Sequence, residues 1–98
     1  MNIKLEDKLT EYMKEKNLKN ILIIPRVCHT WGGSHFDVSA RFVDENEANT
    51  LKADHFKSIP HEFGEVLIRR IPAYMDNIVT LGLSRFIKRI TVTGIHST

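Results

Sequence analysis

The stretch that decides the fold is ILIIPRVCHTWGGSHFDVSARFVD, residues 21–44. Its first four residues, Ile21 to Ile24, are apolar and branched and predict a buried strand. Pro25 has no N–H to donate, so we expect it to bend or end the pairing of that strand. From His35 onward apolar and polar residues alternate, as a half-buried strand requires. Two strands and a tight loop therefore surround Cys28 and its glycines.

The segments on either side of this stretch are less uniform. Upstream, apolar residues recur at helical spacing and predict an amphipathic helix over residues 5–17. Downstream, residues 44–49 are acidic and rich in turn formers, which favours an exposed loop. Residues 50–59 fit helix or strand, with strand preferred, and residues 60–64 form a turn.

The C-terminal half of the chain has the pattern of short strands. Residues 65–68 predict a strand that Pro72 stops, and alternating residues 79–83 predict another before a turn near Ser84. Residues 90–93 predict the last strand, after which residues 95–98 form a tail. Because no helices alternate with strands, the predicted class is α+β: an N-terminal helix with a mostly antiparallel, mainly β fold.

Composition limits the classes of protein that the chain can be. Its 98 residues fit one domain, 1–98, and 42% hydrophobic with 27% charged residues is ordinary for a globular chain. A net charge of +2 gives no strong attraction to nucleic acid or membrane, and the basic residues Arg85, Lys88 and Arg89 fit a solvated surface. No apolar span or signal peptide is present, so we expect a cytoplasmic protein.

Cys28 is the only cysteine, so no internal disulfide can form and a reducing compartment is expected. Three interpretations of its thiol remain open: a metal or cluster ligand, a reactive thiol, or a buried and chemically quiet one. Thiolate and imidazole suit zinc and iron, and His35, His96 and His29 are the histidines that could lie near the sulfur. One chain offers one sulfur, whereas two chains offer two.

Nucleophilic catalysis has little support in the sequence. His29 adjoins Cys28, but neighbouring side chains of an extended segment point to opposite faces, so His35 or His96 is the better candidate base. No catalytic-serine, paired-carboxylate, phosphate-loop or dinucleotide motif occurs. We therefore expect a protein that is not an enzyme, and His55 and His61 fit ordinary loop histidines.

Trp31, Gly32 and Gly33 complete the candidate site loop. Glycines let a backbone approach a ligand closely, and tryptophan is enriched in binding contacts. Trp31 could therefore cover a ligand, form part of a subunit contact, or pack in the core. The phenylalanines have strand-like or isolated spacing, which indicates core positions. They are Phe36, Phe42, Phe56, Phe63 and Phe86.

The order of these features resembles the HesB-like, A-type iron-sulfur carrier family over nearly the whole chain. The resemblance rests on the leading helix, the apolar strand, Val27-Cys28 with its glycines, the alternating strand ending at Asp44, and Val92-Thr93-Gly94-Ile95. In that family a first cysteine follows the first core strand, and a Cys-Gly-Cys arrangement lies near the C-terminus. Cys28 matches the first cysteine. Thr93-Gly94-Ile95 keeps the glycine of the second motif but neither sulfur.

The chain also resembles a divergent HesB-like branch that carries Cys-Cys or Cys-selenocysteine near this loop, where Cys28-His29 keeps one member of the pair. The resemblance implies association into dimers or higher oligomers, with a metal or iron-sulfur cluster held between protomers. Loss of two thiolates argues against a standard three-cysteine carrier. The leading hypothesis is a HesB-like protein in which Cys28, with His96 and His35, binds a metal or labile cluster. The alternatives are a thiol-redox protein using Cys28 and a ligand-free interaction domain.

Overall fold

The computed structural model describes residues 2–62, 64–69, 73–84 and 89–97, with the side chains at 27–30, 34–36, 73–77, 96 and 97 left aside. In these residues two helices and seven strands follow one another along the chain, which confirms the α+β class. Their bounds are β1 Asn2–Leu5, α1 Asp7–Lys16, β2 Asn20–Thr30, β3 Gly33–Val43, α2 Glu45–Ala53, β4 Lys57–His61, β5 Gly64–Ile68, β6 Ala73–Leu83 and β7 Ile90–Ser97.

The strands form two mixed sheets. One has the order β1-β6-β7 and the other β3-β2-β5-β4. In the described residues three pairings are antiparallel, but β1 with β6 and β2 with β5 are parallel. The expected lack of parallel crossovers is therefore wrong. The connection from β2 to its parallel partner β5 runs through β3, α2 and β4, which gives the long connection that a parallel pair needs.

The main core lies between the two sheets and α1. Leu9 and Met13 of α1 are fully buried there, together with Ile21 and Ile23 of β2. Tyr12 of α1 also meets Phe42 of β3, with ring centroids 5.9 Å apart. The helical spacing of residues 5–17 thus predicted α1 well, although the helix begins at Asp7 and Leu5 belongs to β1, a strand that the sequence analysis missed.

A second, smaller cluster lies on the other face of the four-stranded sheet, beneath α2. It joins Leu22 and Leu67 of the sheet to Ala48 of α2, with Leu51 and Phe56 packed against it. The predicted loop at residues 44–49 is wrong, since α2 spans Glu45–Ala53. The strand preferred for residues 50–59 is wrong for the part in α2 and confirmed for residues 57–59, which belong to β4. The reason is a helix cap: the Asp44 Oδ1 accepts the backbone N–H of Glu47 at 2.7 Å.

Three smaller expectations also need correction. Pro25 does not end β2, and it pairs with Val38 in β3. Arg69 donates its N–H to the carbonyl of Ile23, so the backbone groups of Ile23 are directed toward β5. Pro25 is two residues further along and is directed to the same side. There it has no strand partner, because β5 ends at Ile68. The missing N–H of Pro25 therefore costs no ladder bond. Residues 60 and 61 lie in β4 rather than a turn, and the expected tail continues β7 through Ser97.

The strands predicted at residues 65–68, 79–83 and 90–93 are confirmed within β5, β6 and β7. Phe42 and Phe56 pack against the two clusters as expected. The expectations for Phe63, Pro72, Arg85, Phe86 and Lys88, and for the side chain of Phe36, fall outside the described residues.

Candidate functional site

The candidate site lies at the end of the β2–β3 hairpin. The two strands pair without interruption from Asn20 opposite Val43 to Thr30 opposite Gly33, and Trp31 and Gly32 form the connecting loop. Gly33 has φ +115°, a backbone conformation that residues with a Cβ rarely adopt. Gly33, which the sequence analysis placed in the candidate site loop, thus suits the backbone that closes the hairpin.

The register puts Cys28 directly opposite His35. Residues directly opposite each other in an antiparallel pair share one face of the sheet, so Cys28 and His35 occupy one register position on the same face. Counting back by the two-residue period of a strand, this is the face that carries Leu22 and Ile24, toward α2. His29 is opposite Ser34 and belongs to the other face.

His96, the third predicted ligand, lies in β7 opposite Tyr74. That strand belongs to the three-stranded sheet, whereas Cys28 and His35 belong to the four-stranded one. Within β7, Gly94 has φ +107°, which explains why a glycine stands there independently of any ligand. The structure therefore pairs two of the predicted ligands and has the third on a different sheet.

Trp31 is fully exposed at the tip of the hairpin, with 108% relative accessibility. The alternative that it packs in the core is therefore wrong for this chain by itself. Gly32 and Gly33 are exposed beside it. Below the tip, the Arg26 Nε lies 3.9 Å from a carboxylate oxygen of Asp37, and both side chains are about half exposed. An aromatic ring at the tip of a hairpin is available for contact with a ligand or a second protein.

A polar cluster that the sequence analysis missed lies at the opposite end of β2. The His61 Nε2 is 2.8 Å from the carbonyl oxygen of Lys19, so its N–H donates to that carbonyl. The expectation that His61 is an ordinary loop histidine is wrong, because it belongs to β4 and is half-buried. Nothing within the local sequence signals a contact with residues so distant along the chain.

Glu65 holds the neighbouring elements together. Its carboxylate accepts from the Ser58 hydroxyl at 2.6 Å and pairs with the Lys52 Nζ at 2.8 Å, which joins β5 to β4 and α2. The hydrogen bonds from Lys52 and Ser58 lower the pKa of Glu65 below its usual value. Charge-assisted bonds of this kind are roughly twice as strong as neutral ones.

The pKa of His61 predicts a pH dependence of stability. Burial lowers its pKa below 6.5, opposed by its bond to Lys19 and by the charges of Glu65 and Glu62. As the pH falls below 6.5, His61 of the unfolded chain becomes protonated, whereas His61 of the folded chain becomes protonated only at a lower pH. The free energy of unfolding should therefore fall as the pH drops through this range. Urea unfolding at about pH 7 and about pH 5 should show a smaller loss for His61→Gln, whose amide can still donate to Lys19.

The matched control is His55→Asn, at an exposed position just beyond the end of α2, where asparagine suits the positive φ of 68°. This variant should keep the loss of stability between the two pH values. An unchanged pH dependence in His61→Gln would contradict the assignment of the effect to His61.

Among the side chains that the structure describes, no group of three His, Cys, Asp or Glu residues could hold a metal ion. Within the same residues, no helix is both long and apolar enough to cross a membrane. No protein-family model, curated protein or solved structure matches the chain.

Proposed function

We propose that the chain is a cytoplasmic protein with a HesB-like fold that binds a transition metal or a labile iron-sulfur cluster through Cys28 and acts as a homodimer. The observation that carries the proposal is the register of the hairpin, in which Cys28 is opposite His35. Two residues of suitable chemistry on one face of a sheet provide two ligands to a single ion. The exposed Trp31 beside them supports a contact between subunits at the same end.

One chain supplies two of the four donors that a tetrahedral metal site needs, the thiolate of Cys28 and the imidazole of His35. Thiolate and imidazole are ligands that zinc and iron accept, but a closed tetrahedral site needs four donors. One chain has a single cysteine, so a three-thiolate set of the kind that the resemblance implies is not present. Two protomers supply two thiolates and two imidazoles, which complete four ligands. The bound group would hold the two chains together through ligands from each.

Metal content tests this proposal directly. The chain is loaded with zinc, or with iron and sulfide, and the metal bound per chain is measured for the wild type, Cys28→Ser and His35→Gln. We expect one zinc for every two wild-type chains and an affinity reduced about tenfold or more in both variants, since even losing a group that orients a ligand costs that much. The control is His55→Asn, which should bind as the wild type does.

The dimer is tested in the same samples. Trp31 is the only tryptophan, so fluorescence reports the tip of the hairpin without further labelling. Adding metal should shift its emission to shorter wavelength as the mass doubles, and Cys28→Ser should show neither change. Equal metal content in the wild type and Cys28→Ser would exclude Cys28 as a ligand. His96→Gln, measured alongside, determines whether β7 supplies a further donor.

The thiol-redox alternative is tested by the acidity and the alkylation rate of the Cys28 thiol. A redox thiol should be acidic and exposed, whereas a structural thiol reacts slowly. A Cys28 pKa at or above the free value of about 8.5, measured from the pH dependence of alkylation, would count against this alternative. A metal ligand should instead be protected from alkylation only when the metal is bound.

A further inference from the structure

A cavity of about 400 Å³ opens where α1 ends, β2 begins and β3 meets α2. Its apolar lining includes Leu18, Phe42 and Val43, and its polar lining includes Asn20, Lys19 and Glu45. This volume lies within the range of small-molecule sites. Asn20 and Cys28 are eight residues apart on one strand, about 26 Å at the usual rise, so the cavity is separate from the Cys28 end of the hairpin.

Asn20 is the polar side chain that gives this cavity a directional contact. It is only 7% exposed, and its Oδ1 accepts the backbone N–H of Glu65 at 3.3 Å. Because a backbone N–H can only donate, this bond fixes which end of the amide is oxygen and directs the Nδ2 away from Glu65. A buried amide keeps two donors on that nitrogen, and leaving them unused costs free energy.

The Nδ2 of Asn20 is available to a ligand in the cavity that Asn20 lines. Among the residues that the structure describes, this Nδ2 has no hydrogen-bond partner. Every unpaired side-chain nitrogen or oxygen of those residues keeps some contact with solvent. The Nδ2 must therefore reach solvent, and Asn20 lines the cavity. An acceptor inside the cavity would satisfy a donor that the protein itself does not.

The charges around the cavity indicate which acceptor fits. Lys19 brings one positive charge, while Asp44 and Glu45 bring two negative ones. The Asp44 carboxylate is already engaged with the backbone N–H of Glu47. A carboxylate ligand would meet a net negative rim, and a cation would meet the donor of Asn20 rather than an acceptor. An uncharged carbonyl oxygen avoids both conflicts.

We propose that this cavity is a binding site for a small uncharged ligand with an apolar body and a carbonyl group. The carbonyl oxygen accepts from the Asn20 Nδ2, and the apolar body lies against Leu18, Phe42 and Val43. The site is independent of the metal proposal, because none of its residues belongs to the Cys28 end of the hairpin. Cys28→Ser should therefore bind the same ligand unchanged.

Three probes of one size and different charge test the site: phenylacetamide, phenylacetate and phenethylammonium. Binding is followed by NMR on the ¹⁵N-labelled chain, using the side-chain NH₂ signal of Asn20. Phenylacetamide should shift that signal saturably and bind at least about tenfold more tightly than either charged probe. A roughly tenfold difference in affinity corresponds to the free energy of roughly one hydrogen bond. Asn20→Asp keeps an acceptor for Glu65 but removes the donor, so it should weaken phenylacetamide binding about tenfold.

Asn49→Asp, on the exposed surface of α2, is the matched control and should bind phenylacetamide as the wild type does. The proposal is overturned if the Asn20 signal shows no saturable shift, which is the result expected for a cavity that holds only water. Equal affinity for amide and acid, or undiminished binding by Asn20→Asp, would overturn it as well. Should Asn20→Asp fail to fold, nuclear Overhauser contacts between phenylacetamide and Phe42 in the wild type decide the matter, and their absence overturns the proposal.

Discussion

Replacing Gly64 by alanine should lower the free energy of unfolding by about 3 kcal/mol, at the upper end of what overpacking costs. A Cβ at Gly64 would lie 2.7 Å from the carbonyl carbon of Lys19 and closer still to its oxygen. Both are backbone atoms, so no rotation of a side chain can relieve the collision. Separating the first residue of β5 from Lys19 would also disturb the His61 bond to the same carbonyl.

Gly82→Ala is the matched control for this prediction. Its Cβ would meet the carboxylate of Glu6 and would lie 2.8 Å from the Thr91 Oγ1. These are side-chain atoms, and the Glu6 carboxylate can turn away, so the loss should be about 1 kcal/mol. Urea unfolding of the two variants and the wild type measures the difference. Equal midpoints for Gly64→Ala and Gly82→Ala would show that the backbone near Lys19 yields as easily as a side chain.

The sequence predicted the two strands and the tight loop of the β2–β3 hairpin because their signals are local. A continuous apolar run, a pair of glycines and a period of two all fall within residues 21–44. The same local reasoning identified His35 as a candidate partner of Cys28, and the register puts the two opposite each other. A hairpin with a two-residue loop brings residues seven positions apart together without help from the rest of the chain.

The parallel pairings could not be predicted in this way. β1 is four residues long and pairs with β6, and β5 pairs with β2 only after a hairpin strand, a helix and another strand have intervened. Such pairings depend on which distant strands bury their faces together, and composition within one window carries no information about that. His61 was misjudged for the same reason, since its partner Lys19 is distant along the chain.

The error at α2 is different, because the signal was present in the sequence. Asp44 followed three residues later by Glu47 is the pattern of a helix N-terminus, in which the first side chain caps the backbone N–H of the second. Arg41 then pairs with the Glu47 carboxylate through two contacts, at 3.0 and 2.5 Å. Acidic residues rich in turn formers were interpreted as a loop, although acidic residues also favour the first turn of a helix.

The packing of α2 on the sheet gives the second large effect. Leu67 is fully buried in the small cluster beneath α2, and Leu67→Ala should lower the free energy of unfolding by about 3 kcal/mol, as large-to-small core substitutions do. Removing the side chain leaves a space that α2 and the sheet can close only in part. The measurement is urea unfolding, with hydrogen exchange of the α2 amides as a local readout.

Leu51→Ala provides the comparison, because Leu51 packs against the same cluster from α2 but is only partly buried. Its loss should be smaller, about 1 kcal/mol, since less apolar surface returns to water. Exchange in α2 should accelerate in Leu67→Ala while the amides of α1, which pack in the main core, remain protected. If exchange accelerated equally in both helices, the two clusters would behave as one cooperative core rather than as separate units.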